Sequence, residues 1–219
     1  VPFENLHPLL TLAIFVASAY LLGSIPFAVL VSRANGVDIF KVGSGSPGAT
    51  NVVRSVGKGP GFLVFGLDFL KGLLPVLAAR YLGPPEWCQS LQGFCLIAAV
   101  LGHSFSPWIG FRGGKGIATG GGGLAGLVPI PFFIAITLWG IVLKLTGYVS
   151  VASLAAAWSF PFSAFLLDRF GIIPATWQIT GVCLAIAIFV TWTHRKNIVR
   201  LANGTENRFG KKAPKDGNA

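Results

Sequence analysis

Residues 9–32, LLTLAIFVASAYLLGSIPFAVLVS, carry no charge over 24 positions. An apolar run of about 18 or more residues is long enough to cross the hydrocarbon core of a bilayer as a helix. The rest of the chain agrees with that reading. Hydrophobic residues make up 53% of the 219 and charged residues only 11%, whereas a soluble domain carries roughly 25% charged residues. In lipid each backbone N–H and C=O must find a partner within its own segment, which favours helices. The sequence therefore predicts an all-α, polytopic membrane protein forming one domain over residues 1–219.

Working outward, expected spans are residues 9–32, 61–82, 91–105, 116–128, 131–146, 149–167 and 172–194. The uncharged run 116–143 is ambiguous, because Pro129 and Pro131 fall near its middle. One kinked helix there would be about 42 Å long; two short spans fit the same residues. Charge decides between them. With seven spans the basic segments 33–58 and 112–115, Lys144 and the tail from Arg195 share one side, and the opposite side is nearly neutral. The positive-inside rule then puts the N-terminus outside and the C-terminus in the cytoplasm. No cleavable signal peptide is expected, since the first apolar segment is long enough to stay in the bilayer.

The formal charge of +10 does not point to nucleic acid, because the cations flank apolar spans, where they suit anionic lipid headgroups. Cys88, Cys95 and Cys183 are odd in number and lack CxxC spacing, so neither a metal site nor a disulfide framework is expected.

Three polar segments, 33–60, 102–119 and 194–208, fall on the predicted cytoplasmic face. The first contains GSGSPGATNVVRSVGKGPG, residues 43–61. Glycines and serines let backbone N–H groups converge on an anion, and Arg54 can grip a phosphate with two parallel hydrogen bonds. A plain linker would need neither Asn51 nor Arg54. The second, FRGGKGIAT at 111–119, looks like half a P-loop but lacks the GxxxxGK[ST] spacing and a preceding strand, which rejects nucleotide binding. Its glycines open a helix whose free N–H groups and dipole attract an anion, with Lys115 adding a point charge. Glycines 120–123 fit close helix packing better. In the third, THRKNIVRL at 193–201, a continuing helix would put His194 and Asn197 on one face. A basic membrane stop explains Arg195, Lys196 and Arg200 but not that pair. Glu206, a lone acid there, is expected to hold the tail by an ion pair.

Asp68 and Lys71 stand three apart inside the second span. Mutual neutralisation lowers the cost of such depth, yet ionisable residues there are usually functional. Asp68 lies about 10 Å along the helix from Gly61, within reach of a site at the cytoplasmic face.

Taken together, GSIPFAVLVSR (23–33), GSGSPGATNVVRSVGKGPG (43–61), DFLKG (68–72), GHSFSPWIGFRGGKGIATGGG (102–122) and HRKNIVRLANGTE (194–206) resemble the bacterial acyl-phosphate:glycerol-3-phosphate acyltransferase family. The resemblance runs in order over nearly the whole chain. It implies transfer of a fatty acyl group from acyl phosphate to the 1-hydroxyl of glycerol 3-phosphate, giving lysophosphatidic acid and inorganic phosphate in bacterial phospholipid synthesis. It implies catalytic roles for Ser44, Arg54, His194 and Asn197 and a structural one for Glu206; Lys115 is expected to join them by its charge. Expected substrate or phosphate contacts are Gly43, Gly45, Ser46, Thr50, Asn51, Asp68, Lys71, His103, Arg112, Gly113, Gly114, Gly116 and Ser150. No cofactor or metal is expected, and a monomer in the inner membrane, surrounded by lipid, with its site facing the cytoplasm, is. The HX4D signature of other glycerolipid acyltransferases is missing, since Leu12, Trp108 and Val199 stand five residues after the three histidines. A transporter of a phosphorylated or other anionic metabolite is the rival reading. It should show internal repeats and interrupted helices meeting at the midplane, and no repeat is visible here.

Overall fold

The computed structural model describes residues 6–173 and 176–209. Glu4 and the cations of the tail beyond residue 209, which enter the charge balance between the two sides, lie outside them. The described residues form ten α-helices and two single 3₁₀ turns, with no strand among them. The helices are α1 (Pro8–Gly23), α2 (Phe27–Ala34), α3 (Ala49–Ser55), α4 (Lys58–Leu82), α5 (Cys88–Ser104), α6 (Ile117–Leu127), α7 (Pro129–Thr146), α8 (Val149–Arg169), α9 (Trp177–Thr193) and α10 (Arg195–Ala202).

Prolines set two of the breaks. Pro26 lacks an N–H and disfavours helical geometry at Ile25, so the first apolar run divides into α1 and α2. The ammonium of Lys71 donates to the carbonyl of Ile25 at 2.8 Å, supplying a partner where the helix ladder stops. Pro129 does the same to Val128, whose φ of −136° and ψ of 75° leave the helical region. The uncharged run is thus two helices rather than one kinked rod. A third break is a 57° bend between α9 and α10 at His194, where the sequence alone suggests a straight continuation. The last apolar helix also starts at Trp177, later than residue 172, because Gly171 (φ +68°) turns the chain after α8.

Among the described residues, five segments are long and apolar enough to cross a membrane: Pro8–Ala34, Lys58–Leu82, Pro85–Ile109, Pro129–Thr146 and Val149–Arg169; the bent pair α9–α10 makes a sixth. With 11 residues, α6 is about 16 Å long, roughly half the hydrocarbon thickness.

Contacts show which helix ends meet. Ser106 after α5 donates to the carbonyl of Ser24 after α1 at 2.6 Å. Thr193 at the end of α9 donates to the carbonyl of Lys115 before α6. The N–H of Phe209 reaches the carbonyl of Gly147 after α7, and Ser150 at the start of α8 reaches Glu206. All three polar segments therefore gather at one end of the bundle.

Missing side chains let the helices approach closely there. A Cβ on Gly72 of α4 would collide with the backbone of Thr119 on α6, and one on Gly122 with the carbonyl of Phe69. Gly23 and Ala99 make the same kind of contact between α1 and α5. Small residues at helix interfaces are the usual route to packing where lipid supplies no hydrophobic drive. Of the glycines 120–123 only Gly122 and Gly123 pack tightly; Gly121 meets nothing within 4 Å. Gly72→Ala and Gly122→Ala should each destabilise the purified protein by about 1–3 kcal/mol through overpacking. Gly140→Ala, at an exposed α7 position with nothing within 4 Å, should not lower the unfolding temperature, as thermal unfolding in detergent would show.

Candidate active site

The opening loop is built around Asn51, which is 2% exposed. Its Nδ2 donates to the carbonyls of Ile39 (3.3 Å) and Val42 (3.1 Å), and its Oδ1 accepts from the N–H of Ser44 at 3.0 Å. The amide is thus engaged by the loop it shapes. Gly43 and Gly45 take positive φ, +57° and +68°, and a Cβ on Gly43 would strike the Asn51 side chain. These two glycines set the turn and do not line the cavity described below. Ser44, Ser46, Thr50 and Arg54 do line it.

In the second segment, the N–H groups of Gly113 and Gly114 bond to the carbonyls of Ser104 (2.9 Å) and His103 (3.2 Å). This corrects the expectation that they stand free for an anion. Both glycines are needed for close approach instead: a Cβ on Gly113 would meet the carbonyl of His103, and one on Gly114 its imidazole. Helix α6 opens one turn later, at Ile117, after Gly116 in the left-handed region (φ +81°). Lys115, Gly116, Ile117 and Ala118 line the cavity, so α6 begins at its wall, where the first turn of a helix leaves amides without partners in its own ladder. Arg112 is exposed and lies off the cavity.

The third segment ties itself to the second. Lys115 Nζ donates to Asn197 Oδ1, and Asn197 Nδ2 donates to Glu206 Oε1 at 2.6 Å. The same carboxylate accepts from Ser150 Oγ at 2.9 Å and from Arg200 Nε at 2.8 Å. Glu206 holds the tail as expected, and Ser150, expected to touch substrate, has its hydroxyl on this carboxylate. His194 is 2% exposed and its Nδ1 lies 2.8 Å from the carbonyl of Val190. A proton on Nδ1 satisfies that contact and leaves Nε2 free to accept.

Charge balance tunes these groups. Burial pushes Lys115 down to about 8; Glu206 pulls it up, while Arg200 and Arg54 push it further down. Burial alone would raise Glu206, yet hydrogen bonds from Arg200, Asn197 and Ser150 hold it below its ordinary range.

Beneath the loops lies a buried trio. Lys71 Nζ and Asp68 Oδ1 are 2.8 Å apart, with side chains only 2% and 3% exposed. His103 Nδ1 is 3.7 Å from the same oxygen. Removing one member of such a pair strands the other charge, at a cost of about 3–5 kcal/mol. Asp68 and His103 line the cavity, whereas Lys71, Gly113 and Gly114 border a small void beside it.

The cavity has a volume of about 490 Å³, inside the ordinary range for small-molecule sites. Its lining carries Ser44, Arg54, Lys115, His194 and Asn197 from the three polar segments, and deeper along the helices Leu124 of α6, Phe132 of α7, Phe160 of α8 and Ile186 of α9; Phe62, Phe65 and Phe69 of α4 and Trp139 of α7 add further apolar wall. Sequence reasoning names none of these apolar residues. Phe62, Phe65 and Phe69 recur at i, i+3 and i+7, one face of a helix, and that spacing is the signal that could have found them. The arrangement can hold a phosphate against cations beside a long hydrocarbon chain.

A family model described as glycerol-3-phosphate acyltransferase matches residues 13–204. Glycerol-3-phosphate acyltransferase 1 of Deinococcus radiodurans is 45% identical over 204 residues, covering 93% of this chain and 98% of that protein. A glycerol-3-phosphate acyltransferase of Thermus thermophilus is 44% identical over 200 residues, 89% of this chain and 94% of the relative. Among solved structures, PlsY (YgiH), an integral membrane glycerol 3-phosphate acyltransferase, superposes in its glycerol 3-phosphate form with a TM-score of 0.82 at 38% identity, covering 91% of this chain and 96% of that one. Its lysophosphatidic acid form gives 0.80 over 91% and 95%. With the motifs, the helical bundle and these relatives in agreement, the chain belongs to the glycerol-3-phosphate acyltransferase family.

Proposed function

We propose that the protein transfers a fatty acyl group from acyl phosphate to the sn-1 hydroxyl of glycerol 3-phosphate. The products are lysophosphatidic acid and inorganic phosphate. The observation that carries this reading is one cavity with a cationic, N–H-rich end and an apolar end. Both substrates bear a phosphate and one bears a fatty chain. Family membership supports the acceptor; the acyl-phosphate donor is what the resemblance of the sequence motifs implies, and the site's chemistry is compatible with it.

Acyl phosphate is a mixed anhydride, so its carbonyl carbon is already activated. The glycerol oxygen forms a bond to that carbon, and the bond from carbon to the phosphate oxygen breaks. Phosphate leaves with the electron pair. Arg54, Lys115 and the first-turn amides of α6 stabilise charge on the leaving phosphate and on the tetrahedral oxygen. Ser44 and Thr50 add hydroxyl contacts, and Asn197 fixes Lys115 in place. The hydroxyl proton goes to His194 Nε2 or to a phosphate oxygen of the bound donor, and the pH profile of the His194→Gln variant separates the two.

The bundle is read as seven crossings, with α6 and α7 as the short fourth and the fifth. The N-terminus lies outside, the C-terminus in the cytoplasm, and the site faces the cytoplasm of a bacterial inner membrane. The protein works as a monomer, without metal. The basic segments meet at the site end of the bundle, as the positive-inside rule requires of a cytoplasmic face.

Three outcomes are expected. Purified protein given synthetic acyl phosphate and glycerol 3-phosphate should release phosphate and form lysophosphatidic acid; equal use of acyl-CoA would contradict the donor assignment. Because Lys115 is charged below about 8 and neutral above it, kcat/KM for glycerol 3-phosphate should fall as pH rises through 8. Lys115→Arg should keep that limb flat to higher pH, since guanidinium does not titrate there. In a background without the native cysteines, single cysteines at Lys41 or Lys144 should react with an impermeant thiol reagent only in inverted vesicles, and one at Arg169 only in intact cells.

A further inference from the structure

The deepest residues that line the cavity are apolar and buried. Helices α6 and α8 hardly meet, and the cavity occupies the space between them. Along α8 its wall runs from Ser150 through Ser153 and Ala157 to Phe160, ten residues that rise about 15 Å away from the cationic mouth. Opposite stand Gly120 and Gly121 of α6. Then the lining stops. Leu124, Phe132, Phe160 and Ile186 close it, and the next residues inward, Val128, Ala164 and Cys183, belong to the packed core.

We infer that this floor, with Ala157 one turn above Phe160, is the stop that sets the longest acyl chain the enzyme accepts. The inference rests on the functional reading above. A phosphate anchored at Arg54 and Lys115 fixes one end of the donor, so the depth from there to the floor fixes how many methylenes fit. Leu124, Phe160 and Ile186 are 2%, 5% and 5% exposed, so the core behind them cannot yield without opening a void. Ala157 is small and 7% exposed; a larger side chain there intrudes into the space above the floor. The wall of glycine, alanine and serine leaves room for a chain without crowding it.

The lining also reaches α4 and α7, which offer an alternative path for the chain between them. Phe69 and Phe132 stack across that gap with ring centroids 5.8 Å apart, while Phe62 and Phe65 are exposed beyond it. A chain lying out through this gap into lipid would have no fixed length limit. The two paths make opposite predictions.

The experiment measures kcat/KM for a ladder of synthetic saturated acyl phosphates with glycerol 3-phosphate as acceptor. The readout is the long-chain to short-chain ratio, so a general loss of activity or of folded protein cancels. Ala157→Leu should lower that ratio by about 10-fold or more, the scale at which a hydrophobic pocket discriminates by methylene groups. Phe160→Leu should shift it the other way, extending use to chains longer than the wild type accepts. Ratios equal to wild type in both variants would overturn the stop and place the chain in the α4–α7 gap. A wild-type protein that uses no acyl phosphate of any length would overturn the functional reading itself, and the stop with it.

Discussion

Glu206 takes hydrogen bonds from Ser150, Asn197 and Arg200, side chains that come from α8 and α10. Through Asn197 it also reaches Lys115, which stands just before α6 opens. One carboxylate thereby joins the tail, the start of α8 and the mouth of α6 at the cationic end. Cations gathered there repel one another: Arg200 and Arg54 each push Lys115 toward its neutral form. The acid offsets that repulsion without occupying the space beside Arg54 and Lys115 where an anion belongs. Its three hydrogen-bond donors in turn keep it charged despite burial.

The second constraint is the approach of α6 to α4. Gly72 and Gly122 let the two backbones touch, and the break at Val128 keeps α6 short. A helix of 11 residues starting at the level of Thr119 against Gly72 leaves its N-terminal turn inside the protein rather than at the lipid headgroups. Its amides then open onto the cavity together with Lys115. The glycine contacts and the anion-facing helix start are one design: widen the interface and the amides move off the site.

Much of the site is legible in the chain, and the limits have physical causes. Arg54, Lys115, His194 and Asn197 stand out because cations and amides amid glycines are poorly accounted for by membrane anchoring or by linker flexibility, and all four line one cavity. Asn51 lines the cavity, but the carbonyls its amide holds lie nine and twelve residues earlier in an irregular loop, where no periodicity points to them. Gly113 and Gly114 read as free donors because a glycine run before a helix looks the same whether its amides face a ligand or, as here, the end of α5. The bonds from Lys115 to Asn197 and from Ser150 to Glu206 span 82 and 56 residues, beyond any spacing argument. The helical class follows from apolar length alone, whereas the bend at His194 leaves no trace in hydropathy, since α10 is short and basic.

A lysine held near 8 has a consequence for substrate order. Burial favours its neutral form, and a doubly charged phosphate placed beside it favours the ammonium. Occupation of the mouth by an anion therefore raises the lysine's pKa, and the bound state draws in a proton at pH values where the empty state has begun to lose one. The same proton strengthens the hold on that anion.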